Sequence, residues 1–214
     1  PIGRLATFDA TKKPSEQTFP PMAVNVNVVD LDRNGEPDVL VADAQINTVS
    51  WLRKVDGAWI ETALVEPGKF TAPGKTEAFD FDYDGDLDVA VAVLGRIYPT
   101  EELIGKVVVL VNDGAMGFTP VVLLSNVPRV ADVRPADLDN DGDWDYSVAM
   151  FGCFQNGAVG WLESKPDNEF QLHHLARKAG AIHVPVHDID EDGRPDVIAV
   201  ISQHHEEIVA YLNR

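Results

Sequence analysis

Carboxylates recur at alternate positions in four nine-residue segments: Asp30-Leu-Asp-Arg-Asn-Gly-Glu-Pro-Asp38, Asp80-Phe-Asp-Tyr-Asp-Gly-Asp-Leu-Asp88, Asp137-Leu-Asp-Asn-Asp-Gly-Asp-Trp-Asp145 and Asp188-Ile-Asp-Glu-Asp-Gly-Arg-Pro-Asp196. Side chains at positions 1, 3, 5 and 9 converge on one point only if the chain turns sharply. The glycine at position 6 supplies that turn without a Cβ penalty. The chemistry this implies is capture of a hard divalent cation by oxygen, with calcium the expected ion and up to four ions per chain. A solvated turn needs one or two Asp or Gly residues. Four loops of closely spaced like charge need a counter-ion. The second and third loops are the richest in carboxylate, and the first, with Asn34 at position 5 and Arg33 beside it, is the poorest.

The first half of each segment also fits an EF-hand, which requires a bidentate Glu at position 12 and helices on both sides. Position 12 is Val41, Val91, Val148 and Ala199, and each loop runs into a β-branched stretch such as Val89-Ala-Val-Ala-Val93 or Val197-Ile-Ala-Val-Ile201. The cation loops therefore join strands.

The first aspartates are 50, 57 and 51 residues apart, a period that in a β-rich chain predicts propeller blades. Upstream of each loop, apolar or small residues at the second, fourth and sixth places before the first Asp (Val28, Val26, Val24 in the first repeat) trace an inner strand of period two. A third strand follows at Val49-Leu52, Val107-Leu110, Val159-Leu162 and Val209-Leu212, and a fourth opens with Trp59, Phe118 and Phe170. The chain reads as an all-β, β-propeller protein of four-stranded antiparallel blades over about 22–66, 74–125, 129–176 and 180–214. The fourth repeat ends before an outer strand, and the apolar segment 2–8 is a candidate to complete it. Four blades could form a closed ring or an arc of a larger propeller that needs self-association or further blades from a parent chain.

DxDxDGxxD followed by a hydrophobic strand, GxVxWL and an aromatic-led strand resembles the FG-GAP/VCBS repeat, the calcium-binding blade of integrin α-subunit heads, fungal lectins and many secreted bacterial proteins. The resemblance covers nearly all of residues 22–214. It implies a ligand set in each loop: Asp30, Asp32, Asn34 and Asp38 with the Glu36 carbonyl; Asp80, Asp82, Asp84 and Asp88 with the Asp86 carbonyl; Asp137, Asp139, Asp141 and Asp145 with the Asp143 carbonyl; Asp188, Asp190, Asp192 and Asp196 with the Arg194 carbonyl. Family propellers usually have more than four blades.

Of the 35 acidic residues, 19 lie in the four loops, and four divalent ions would cancel 8 of the 18 net negative charges. A surface still acidic excludes nucleic acid and anionic membrane as partners, because both are bound through clustered Lys and Arg. No apolar run approaches the roughly 18 residues of a membrane span. Cys153 is the sole cysteine, which rules out an intrachain disulfide or a dithiol redox pair and suits a small buried residue. Pro1 opens the chain without a leader pattern, so a removed signal peptide or a longer parent protein is expected. Exposed loops of this kind bind calcium weakly, which places the protein in an extracytoplasmic setting.

In such blades the acidic loops share one end, and the opposite end carries Tyr98, Phe151, Phe154, His204 and His205, a set suited to protein or carbohydrate ligands. Five and three residues before each first Asp stand Asn25, Lys75, Asp132, His183 and Asn27, Glu77, Arg134, Pro185, expected to line the centre and to pair as Lys75–Asp132 or Glu77–Arg134. His183 is a further candidate ligand contact. No nucleophile elbow, phosphate loop or dinucleotide fingerprint is present, and no catalytic residue is nominated. These features suit a binding or scaffold module. The alternatives are a carbohydrate-active protein, lectin or lyase-like, and an accessory domain of a secreted redox enzyme.

Overall fold

A computed structural model of the protein describes residues 22–203 and 206–214. Segment 2–8, nominated above to complete the last sheet, and His204 and His205 lie outside the described residues. Alternating β-branched residues draw the chain into four antiparallel sheets. The first holds β1 (Ala23–Val29), β2 (Asp38–Asp43), β3 (Thr48–Val55) and β4 (Ala58–Ala63); the second holds β5 (Pro73–Phe79), β6 (Asp88–Val93), β7 (Gly105–Asn112) and β8 (Phe118–Val127). The third is β9 (Val130–Ala136), β10 (Asp145–Met150), β11 (Ala158–Lys165) and β12 (Glu169–Ala176). In each of these three, sequence neighbours are sheet neighbours.

The fourth sheet departs from that plan. Its strands are β13 (Ala181–His183), β14 (Val186–His187), β15 (Asp196–Ser202) and β16 (Glu206–Tyr211), with β13 and β14 both paired to β15. These two are one inner strand interrupted at Val184-Pro185, where proline has no N–H to give the ladder; Pro185 still accepts from Ile198 N at 2.9 Å. Only three ladder positions are therefore filled, and no outer strand follows β16 among the described residues.

The period-two reading of the inner strand holds at the second and fourth places before each loop and breaks at the sixth. There the pairing register skips one residue in every sheet, at Val24, Gly74, Ala131 and Ile182, so this position is the extra residue of a β-bulge.

From the second sheet onward, each packs one face on the sheet before it. Leu40, Val49 and Trp51 of the first meet Val89, Val91 and Leu110 of the second. Ala92, Val107 and Val109 meet Val133, Tyr146 and Leu162 of the third. Ala149 and Val159 meet Val184, Val197 and Ile201 of the fourth. Among the described residues no such core joins the fourth sheet to the first. The first sheet's outer face leaves Val26 58% and Val28 67% exposed, whereas Val89 and Val91 on the corresponding face of the second sheet are 0% exposed. On the fourth sheet's free face, Ile208 is 78% exposed.

Candidate metal centres and the opposite loop end

Because consecutive strands are antiparallel neighbours, the loops β1–β2, β5–β6, β9–β10 and β14–β15 fall at the same end of their sheets. These are the four acidic loops. Each has the same backbone course: position 4 (Arg33, Tyr83, Asn140, Glu191) and the glycine at position 6 both take positive φ, 53–61° and 90–98°. Sequence inspection anticipated the glycine. It did not anticipate a left-handed residue at position 4, because Arg, Tyr and Glu do not favour that conformation.

The carboxylates divide two tasks. The position 1 aspartate folds the loop around itself: Asp30 Oδ2 accepts from Gly35 N at 2.8 Å, Asp80 Oδ2 from Gly85 N at 3.1 Å, Asp137 Oδ2 from Gly142 N at 3.1 Å and Asp188 Oδ2 from Gly193 N at 2.8 Å. The position 9 aspartate, buried in all four loops, ties the loop to the sheet. Its Oδ2 accepts from the position 2 N–H, as in Asp88 with Phe81 at 2.6 Å and Asp196 with Ile189 at 3.0 Å. Its Oδ1 reaches the end of the third strand: Asp88 to Asn112 N, Asp145 to Ser164 N and Asp196 to Asn213 N, at 2.7, 2.7 and 2.8 Å. At position 5, Asn34, Asp84, Asp141 and Asp192 accept from the N–H of Glu36, Asp86, Asp143 and Arg194. The position 7 residues thus engage through their N–H groups.

Oxygens of Asp30, Asp32 and Asp38 lie within 4.8 Å of one another, as do those of Asp80, Asp82 and Asp88 and of Asp188, Asp190 and Asp196. In the third loop the trio is Asp137, Asp139 and Asp141. Two oxygens bound to one calcium at about 2.3–2.6 Å can be no more than about 5 Å apart, so this spacing fits a shared ion. Asp80 Oδ1 adds a second sign: it is buried and has no hydrogen-bond partner, whereas Asp30, Asp137 and Asp188 use Oδ1 to accept the position 5 N–H. A buried carboxylate oxygen without a donor is costly unless a cation supplies what is missing. Burial, and after it the charges of Asp82 and Asp84, push Asp88 above the usual carboxylate range. Burial likewise raises Asp145 and Asp139, with Asp139 and Asp141 as the respective charged neighbours. In Asp196 the N–H groups of Asn213 and Ile189 win, and its carboxyl is held low.

At the opposite end, Tyr98 is 73% and Phe154 62% exposed, while Phe151 lies under the Arg129 guanidinium, 4.8 Å from its ring centre. Arg129, missed from sequence, organises this end: almost wholly buried, it donates to Gly152 O through Nε and Nη2 at 3.0 and 2.6 Å and to Ile97 O through Nη1 at 3.2 Å. Asn156 Nδ2 adds a bond to Glu101 O at 2.7 Å. The loops bearing Tyr98, Phe151 and Phe154 are therefore tied together.

Side chains of the inner strands form ion pairs. Arg134 Nη1 meets Glu77 Oε2 at 2.7 Å, as expected, but Lys75 lies 3.5 Å from Glu77 instead of pairing with Asp132. Asp132, 0% exposed, accepts from Val184 N at 3.1 Å and meets Arg134 Nε and His183 Nδ1, both at 3.3 Å. Asp132 thus takes its partners from the third and fourth sheets, while Lys75 pairs with Glu77 within its own strand. Cys153 is buried. No described helix is long and apolar enough to cross a membrane, which says nothing of a strand-built span.

Residues 18–91, about a third of the chain, match the family model described as an FG-GAP-like repeat. The match spans the first sheet with its acidic loop, β5, the second acidic loop and the first part of β6. No curated protein matches the chain.

Proposed function

We propose that the chain is a calcium-stiffened binding or scaffold module of β-propeller type, working outside the cytoplasm, with a protein or glycan ligand held at the end opposite the acidic loops. The observation that carries the calcium reading is the buried, unpartnered Asp80 Oδ1 inside a three-carboxylate cluster whose design recurs in all four loops. When bound, calcium would neutralise carboxylates that otherwise repel. The residues that would hold it are the position 1, 3 and 9 aspartates, or positions 1, 3 and 5 in the third loop. Successive sheets stacked face to face favour propeller geometry, and the uncovered Val26–Val28 and Ile208 faces call for a further sheet, from self-association or from more of a parent chain. Tying of the opposite loops by Arg129 and Asn156 pre-organises the exposed aromatics, which lowers the ordering cost of binding.

Calorimetric calcium titration and melting with and without chelator test the proposal. Up to four ions should bind and chelation should lower the melting temperature, because an ion that binds only the folded state stabilises it by mass action. An unchanged melt after exhaustive chelation sinks the calcium reading. Once a glycan array or pull-down yields a ligand, Tyr98→Ala should weaken binding at least tenfold while leaving the melt unchanged. Retained affinity would move the ligand site off this end.

A further inference from the structure

We propose that the second and third acidic loops form one cooperative cation-binding unit, joined by a reciprocal clasp of Tyr83 and Trp144. This rests on the calcium reading above. Tyr83 stands at position 4 of the second loop, between Asp82 and Asp84, and its Oη donates to Gly142 O in the third loop at 2.9 Å. Trp144 stands at position 8 of the third loop, between Asp143 and Asp145, and its Nε1 donates to Asp80 O in the second loop at 2.7 Å. The two rings stack, 6.1 Å between centres and 8° from parallel. Trp144 is anchored edge-on against Phe79, the residue before Asp80, at 5.5 Å. Each loop therefore grips the other's backbone from a position flanked by its own candidate ligands. An ion that orders one loop fixes the grip on the other and prepays part of its ordering entropy, which is positive coupling without any direct contact between ions.

The same positions elsewhere carry no such pair. Across the other neighbouring pairs they are Arg33 with Leu87, for the first and second loops, and Asn140 with Pro195, for the third and fourth, and neither leucine nor proline has an aromatic ring to stack or a side-chain N–H to donate. Between the third and fourth loops the link is Asn213, which donates through Nδ2 to Leu138 O but belongs to neither loop. Strong coupling is thus confined to one of the three neighbouring pairs. Tyr83 is 58% exposed, so water competes for its hydroxyl and the coupling belongs at the low end of the usual range, about fivefold.

The test is a calcium titration against a chromophoric chelator on the full chain, with the second site identified as the binding lost in Asp82→Asn. Disabling the third loop by Asp139→Asn should weaken the second site about fivefold in the parent. In Tyr83→Phe combined with Trp144→Phe, the same change should weaken it less than about twofold. If the combined variant does not melt cooperatively in calcium, Tyr83→Phe alone, which keeps the ring and removes only the donor, should still reduce the coupling. Equal weakening with and without the clasp, or no weakening in the parent, overturns the proposal while leaving calcium binding intact. A parent chain that binds no calcium at all refutes the calcium reading and the clasp with it, and is distinguishable because every variant is then silent.

Discussion

Asp82→Asn should change the sign of its effect on stability with calcium. Asp82 is exposed, and one of its oxygens lies within 4.8 Å of oxygens from Asp80 and Asp88. On the calcium reading proposed above, it is a ligand when the ion is present. At about 10 mM calcium and a dissociation constant on the order of 10⁻⁴ M, one site contributes about 2.7 kcal/mol. For a chain of this size that corresponds to a melting temperature lower by roughly 5–10 °C when the ligand charge is removed. Without the ion the same carboxylate only repels its neighbours. Two charges at that distance interact with about 3 kcal/mol at an effective dielectric of about 20, and exposure and salt cut this to about 1 kcal/mol. The metal-free variant should therefore melt roughly 2–4 °C above the metal-free parent. Scanning calorimetry of both proteins, metal-stripped and with calcium, reads the two shifts. Glu66→Gln, an exposed acid outside the loops, serves as the control and should give no reversal. A shift of the same sign in both conditions would refute the idea that these carboxylates are held together for a cation.

In metal-stripped protein, Asp88, Asp139 and Asp145 are raised in the folded state, so their contribution is full below the unfolded carboxylate value near about 4 and is lost as pH rises through the raised folded values. Melting temperature should accordingly climb as pH falls from neutrality toward about 4, and then drop as Asp196 and Glu163, both held low by hydrogen bonds, become protonated; with calcium the climb should vanish, because protons then compete with the ion. Arg129→Ala should cost about 3 kcal/mol, since it strips donors from the carbonyls of Gly152 and Ile97, and Arg129→Lys should recover less than half of that because an ammonium cannot reproduce the fork; denaturant unfolding measures both.

The acidic loops were legible because their pattern is local. Four oxygen-bearing side chains within nine residues, with a glycine at the turn, can be read without knowing the rest of the fold. The sheets were legible for a related reason, since a period near 50 and an aromatic-led last strand recur at short range. What escaped lies between repeats. Trp144 reads as one more apolar residue in its loop, and only the approach of the second sheet gives its indole N–H to Asp80 O. Arg129 precedes a strand and carries no motif, yet three carbonyl contacts enclose it. The bulge at Val24, Gly74, Ala131 and Ile182 also escaped, because four different residue types share one backbone irregularity.

Coverage of a sheet face belongs to the same class of hidden property. Val26 and Val28 follow the alternation of a core-facing strand, and an apolar strand face is read from sequence as a buried one. Their neighbours across the ladder are Val41 and Val39, whose counterparts in the second sheet, Val91 and Val89, are sealed because the first sheet lies on them. The first sheet has no described sheet in that place, so the same pattern that makes a core in three interfaces makes an open apolar surface at the fourth position. Alternation specifies that a face is built for packing, and neighbours in space decide whether it is packed. Among the described residues the same holds at the other end of the chain, where Ile208 stands 78% exposed on the face of the fourth sheet that no other described sheet covers.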